Sequence, residues 1–94
     1  MKIVVLDGRK MTDRETAHTY MKKALSLPDY YGRNLDALYD CLCEMNDVQI
    51  ILTYIPEMQG NLRRYADNII NVFEAAEEKN SKISVISEQF VDEL

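Results

Sequence analysis

"VQIILTY", residues 48–54, is a short, strongly apolar run. It is apolar enough to read as a strand buried on both sides, and two similar runs bracket it. "KIVVL" (2–6), closed by Asp7-Gly8, reads as a buried strand followed by a turn. "ISVIS" (83–87) reads as a third strand. Helical patterns fill the gaps. "TDRE" (12–15) has the form of a capping box, with Thr12 as N-cap and Glu15 three residues on. Ala17, Tyr20, Met21, Ala24 and Leu25 then share one face, and Pro28 lies just beyond the end. "PDYYG" (28–32) is turn chemistry, expected to be exposed. Asn34 is suited to cap a second helix with Leu35, Leu38, Tyr39 and Leu42 on its inner face.

After the central strand, Pro56 opens a short helix that Gly60-Asn61 is expected to interrupt. A longer helix follows over residues 63–79, with Ile69, Val72, Phe73 and Ala76 at i, i+3, i+4 and i+7. The acidic tail "EQFVDEL" (88–94) has the length for one more helical turn. The order is therefore β-α-α-β-α-α-β. Helical crossovers between short apolar strands imply an α/β fold: a three-stranded, mainly parallel sheet covered by about four helices.

Ninety-four residues suit a single domain, with 47% apolar and 29% charged residues fitting a soluble globular chain. The apolar runs are too short to cross a membrane. "MKIVVLDG" has no long apolar h-region and no small-residue cleavage site, so a cytoplasmic protein with no membrane association is expected. Sixteen acids against 11 bases give a net charge of −5, which disfavours direct nucleic-acid binding and is compatible with a cationic protein partner. The distribution is more telling than the sum. Residues 34–62 hold no Lys, Arg or His, while Asp36, Asp40, Glu44, Asp47 and Glu57 all fall there. Cys41 and Cys43, about 160° apart on a helix, can neither pair nor share a metal, which fits a reducing compartment.

Asp36, Asp40 and Glu44 form a stripe at four-residue spacing. Helix energetics do not demand a role for it. Asp36 in the first turn gains about 0.3–1 kcal/mol from the helix dipole, while repulsion from Asp40 costs about 0.2–0.5 kcal/mol. A solvated face is one reading. A docking surface is favoured by three features: the single sign, the lack of basic neighbours at i±3 or i±4 within the helix, and the adjoining loop with Tyr30, Tyr31 and Gly32. Catalysis by the carboxylate pair would need a pocket that separates their pKa values, and no nucleophile elbow, phosphate loop or dinucleotide fingerprint accompanies them. His18, the sole histidine, reads as a surface residue. Two carboxylates without a dedicated loop make a weak metal site, so neither metal nor cofactor is expected. Glu74, Glu77 and Glu78 read as a solvated face.

"LSLPDYYGRNLDALYDCL" (25–42) closely resembles the signature of the barstar family, small inhibitors of secreted ribonucleases of the barnase type. The likeness extends over roughly residues 2 to 87, through "VFEAAEEKNSKISVI" and the same element order. It implies a three-stranded parallel sheet with four helices and a non-enzymatic inhibitor. That inhibitor plugs the active site of an extracellular-type basic ribonuclease, one to one, and is monomeric when free. By resemblance, Asp40 takes the place of a substrate phosphate and Asp36 pairs with a basic residue at the cleft rim. Tyr30 packs on the catalytic histidine, and Tyr31, Gly32 and Asn34 shape the loop. Leu35, Cys43, Glu44 and Met45 complete the expected partner-binding set. The barnase–barstar pair is itself a standard example of charge steering and of an aspartate hot spot, so this expectation is inherited from the family. The chain departs from the pattern at its periphery. Tyr39 and Met45 stand for tryptophans, Glu44 for a glycine, Arg33 for an acid and Ala75 for a contact glutamate. These departures leave open an alternative, a module of the same fold that binds a different basic protein.

Overall fold

The computed structural model describes residues 1–88. Its elements are β1 (Lys2–Asp7), a 3-10 turn (Gly8–Lys10), α1 (Arg14–Ala24), α2 (Leu35–Cys43), β2 (Val48–Thr53), α3 (Ile55–Leu62), α4 (Arg64–Lys79) and β3 (Ile83–Ser87). The strands pair in parallel with β2 in the centre. Parallel neighbours cannot be joined by tight hairpins, so each connection crosses over through a pair of helices. The α/β architecture and element order are those expected from the sequence pattern.

One face of the sheet carries the core. Val4, Ile50 and Val85 lie in register across it, and Leu6 aligns with Leu52. These residues join Met21, Leu25, Leu38, Leu42, Ile69 and Phe73 in one hydrophobic cluster. The other face departs from expectation. Ile3 and Val5 of β1 are 59% and 53% exposed, Ile86 of β3 is exposed, and Gln49 and Ile51 of β2 are half-buried. So β1 and β2 are not strands buried on both sides. An unbroken apolar run has the same composition whether one face or two are covered, and the pleat sends alternate residues to opposite faces.

Several boundaries also differ from the sequence reading. The N-cap of α1 is Asp13, not Thr12: its carboxylate accepts from the Thr16 amide at 2.8 Å and from the Thr16 hydroxyl at 3.1 Å. Gly60-Asn61 does not interrupt α3, which runs on to Leu62; the break comes at Arg63, with φ 57 and ψ −128. Strand β2 ends at Thr53, whose buried hydroxyl donates to the Leu6 carbonyl at 3.1 Å. Glu77 is not part of a solvated face. Its carboxylate accepts from the Val85 amide at 2.8 Å, which satisfies an outward-facing donor on edge strand β3. Glu74 and Glu78 are exposed, as expected. The helical turn anticipated in the tail lies outside the described residues.

Gly8 stands where the chain leaves β1 beneath the turn that enters α3. A Cβ there would lie 2.3 Å from the Tyr54 carbonyl oxygen and 2.8 Å from that of Thr53, both backbone atoms. By contrast, a Cβ on exposed helical Gly60 would meet nothing within 4 Å. Gly8→Ala is therefore expected to destabilise the fold by about 1–3 kcal/mol, as for overpacking. Gly60→Ala should stabilise it by about 0.5–1 kcal/mol by removing backbone freedom from the unfolded chain. Urea unfolding of the two variants checks both signs.

Candidate functional site

Helix α2 is held by an asparagine at each end. At its start, Asn34 Oδ1 accepts from the Ala37 amide at 2.7 Å, while Nδ2 donates to the Gly32 carbonyl at 3.2 Å. Asn34 is thus the N-cap expected from the sequence. At the other end, Asn80 Nδ2 donates to the carbonyls of Leu42, at 3.0 Å, and Met45, at 2.9 Å. Those carbonyls sit in and just past the last turn, where helical donors run out; that of Leu42 also accepts from the Met45 amide at 3.2 Å.

Leu38 and Leu42 are fully buried, and Leu35, Tyr39, Cys41 and Cys43 half-buried. With the leucine face turned inward, the stripe of Asp36, Asp40 and Glu44 is exposed. Among the described residues, the ion pairs are the N-terminus with Asp47, Arg9 with Asp7 and Lys22 with Asp29, so the stripe stays unneutralised. The cysteines are free. Burial, followed by the charges of Glu44 and Asp40, pushes the Cys41 thiol above its usual range and disfavours the reactive thiolate.

The loop between α1 and α2 is fastened along its length. Ser26 adopts a left-handed conformation (φ 55), and the Leu27 amide reaches back to the Lys22 carbonyl at 2.9 Å, a Schellman closure of α1. Leu27 is buried, and the Tyr31 amide donates to the Pro28 carbonyl at 2.9 Å, closing the turn. Tyr30 then projects outward, 83% exposed. A side chain at Gly32 would come within 3.1 Å of Asn34 Nδ2 and press on the α2 cap. Arg33, also left-handed (φ 57), donates from Nη1 to the Thr19 hydroxyl at 3.3 Å.

Two sequence expectations fail here. Tyr31 is not an exposed turn residue but 5% exposed, and His18 is not a surface residue but 2% exposed. The reason is mutual. His18 Nδ1 lies 2.5 Å from the Tyr31 hydroxyl, and Nε2 lies 2.6 Å from the hydroxyl of Tyr65 on α4. Burial, then the positive charge of Arg33, holds the imidazole pKa below its ordinary value of 6.5. Burial likewise pushes the Tyr31 phenol well up and raises that of Tyr65. Arg14 lies over the Tyr65 ring, 4.2 Å from its centroid. A shallow cleft lined by Arg14, Asn34, Leu35, Asp36 and Tyr65 opens beside the start of α2.

Of the residues singled out in the sequence, Tyr30, Gly32, Asn34, Asp36, Asp40 and Glu44 are exposed on the loop and α2. Leu35, Cys43 and Met45 are half-buried at the border, and Tyr31 lies beneath. His18 and Tyr65 were missed as supports of this region. The signal for His18 was its spacing from Met21 and Leu25, at i+3 and i+7 on the buried side of α1. Nothing local marked Tyr65. Among the described residues no group of three His, Cys, Asp or Glu side chains is placed to hold a metal, and no helix is long and apolar enough to cross a membrane.

The structure is thus a small α/β domain whose capped helix α2 turns an acid face outward. The chain belongs to the barstar family: the family model described as barstar (barnase inhibitor) matches residues 1–89. It is also 40% identical over 91 residues to a Bacillus subtilis (strain 168) protein named "Putative ribonuclease inhibitor YrdF", covering 94% of this chain and 100% of that protein.

The caps and the buried imidazole each carry a measurable consequence. Asn34→Ala should cost about 1 kcal/mol of unfolding free energy. Asn80→Ala, which removes the donor to the Met45 carbonyl and leaves that of Leu42 with the Met45 amide alone, should cost about 1–3 kcal/mol. Because the His18 pKa is lower in the folded state, the unfolded chain binds the extra proton first. The stability contributed by neutral His18 is thus complete above pH 6.5 and declines as pH falls below it. The groups facing it are the Arg33 guanidinium and the Tyr31 and Tyr65 phenols, whose titration burial pushes further above this pH range. The stability gap between the wild type and His18→Gln should therefore narrow as pH is lowered from about 7.5 to 5.5; a constant gap would contradict the buried neutral imidazole.

Proposed function

We propose that this protein is a non-enzymatic inhibitor that binds a basic, barnase-type ribonuclease one to one. It blocks the nuclease active site with α2 and the adjoining loop, and so protects the cell that makes it. The observation that carries the reading is the unneutralised stripe of Asp36, Asp40 and Glu44 on a helix capped at both ends. A ribonuclease cleft is built to hold a phosphate. A carboxylate fixed on a rigid helix meets such a cleft with little loss of conformational freedom and forms charge-assisted hydrogen bonds there.

In this reading Asp40 stands for the phosphate and Asp36 pairs at the rim. Tyr30 supplies aromatic contact area, and Gly32, Asn34, Leu35, Cys43, Glu44 and Met45 border the contact. Tyr31 supports the loop from within. Arg33, held against Thr19, is turned toward α1, which eases the sign conflict its charge would pose at a basic rim. Family membership and the ribonuclease-inhibitor name of the Bacillus subtilis relative support this class of partner. The free protein is a cytoplasmic monomer in this account.

The test is RNA cleavage by a barnase-type ribonuclease titrated with the protein. Cleavage should stop at one equivalent. Asp40→Ala should weaken the complex at least about 30-fold, the scale of an interface hot spot, whereas Glu57→Ala, an exposed acid on α3, should change it little. Association should slow as salt rises. Equal effects of the two substitutions, or uninhibited cleavage, would sink the proposal.

A further inference from the structure

Tyr30 makes no side-chain hydrogen bond among the described residues and is 83% exposed, so its position is set by its backbone neighbours. The neighbour that fixes it is Tyr31, whose buried phenol ends on His18 at 2.5 Å, while the other nitrogen of the same ring meets Tyr65 at 2.6 Å. A neutral imidazole has one N–H and one lone pair. A single tautomer therefore accepts from one phenol and donates to the other, and the chain of three rings is satisfied at both ends. Apolar residues would fill this space without the desolvation cost of three polar groups. What the polar chain adds is direction: it sets where one loop residue stands relative to α1 and α4.

We propose that His18 and Tyr65 are positioning residues for the docking loop, fixing through Tyr31 where Tyr30 stands relative to the acid face of α2. This rests on the reading of Tyr30 and α2 as the contact surface. At 2% exposure His18 cannot itself touch a partner. A loop released from it would populate its binding-ready position only part of the time, and affinity falls by that fraction.

Tyr65→Phe removes one hydroxyl and keeps the ring under Arg14; Tyr31→Phe cuts the other end of the chain. Without any partner, exchange of the Tyr31 amide, which is bonded to the Pro28 carbonyl, should accelerate about tenfold in either variant, the loss of roughly one buried hydrogen bond, while Leu38 and Leu42 in α2 stay protected. With a barnase-type ribonuclease, Tyr65→Phe should weaken binding about 3–10-fold. That loss should vanish in a Tyr30→Ala background and persist in an Asp40→Ala background, because the chain acts through Tyr30. Unchanged loop exchange in both phenylalanine variants, or an equal affinity loss in both backgrounds, would overturn the proposal. The exchange measurement needs no partner, so it decides the positioning role even if the ribonuclease does not bind; that second result would count against the functional reading alone.

Discussion

The constraint on which the molecule depends is the inward lock of the Leu38–Leu42 face of α2. With those two side chains fully buried in the cluster that contains Phe73 and Ile69, the helix cannot rotate about its axis. Its opposite face, carrying Asp36, Asp40 and Glu44, is then obliged to face outward. The asparagines at its two ends hold its length as firmly as the leucines hold its rotation. A short helix of nine residues would be marginal on its own, and here tertiary packing and caps supply what propensity does not. The acids are thus presented by a rigid element, the condition under which a charge can be matched to a preformed cleft without reordering.

The loop before α2 solves a different problem. It displays a large aromatic side chain while staying fastened, with Leu27 and Tyr31 buried on either side of the Pro28–Tyr30 turn. Leu27 and Tyr31 point in, Tyr30 points out, and Arg33 is tied to Thr19. The left-handed conformations at Ser26 and Arg33, each carried by a residue other than glycine, are compatible with this tight path because the surrounding bonds hold them. The exposed apolar side chains of β1 and β3, by contrast, lie on the sheet face away from the core.

How far the sequence revealed this differs from element to element, for physical reasons. The three strands and the order of helices were legible because short β-branched runs and i, i+3, i+4 periodicity are local signals. The Asn34 cap and the acid stripe were legible for the same reason. The one-sided burial of β1 was not, since composition does not tell one covered face from two. The N-cap shifted from Thr12 to Asp13 because adjacent capping residues compete, and geometry alone decides between them. Tyr31, His18 and Tyr65 meet across 13 and 47 residues of chain, and no local pattern encodes such a meeting. Membership of the barstar family was legible from the dense motif in residues 25–42, a run that places the loop and the acid helix side by side.

The proposed function requires a ribonuclease to cover α2 and the loop before it. Amide hydrogen exchange of the protein, free and mixed with one equivalent of a barnase-type ribonuclease, maps that surface directly. Added protection concentrated in residues 29–45, with β1 unchanged, is the result the account predicts. Protection centred instead on the exposed sheet face around Ile3 and Val5, with α2 unaffected, would contradict it.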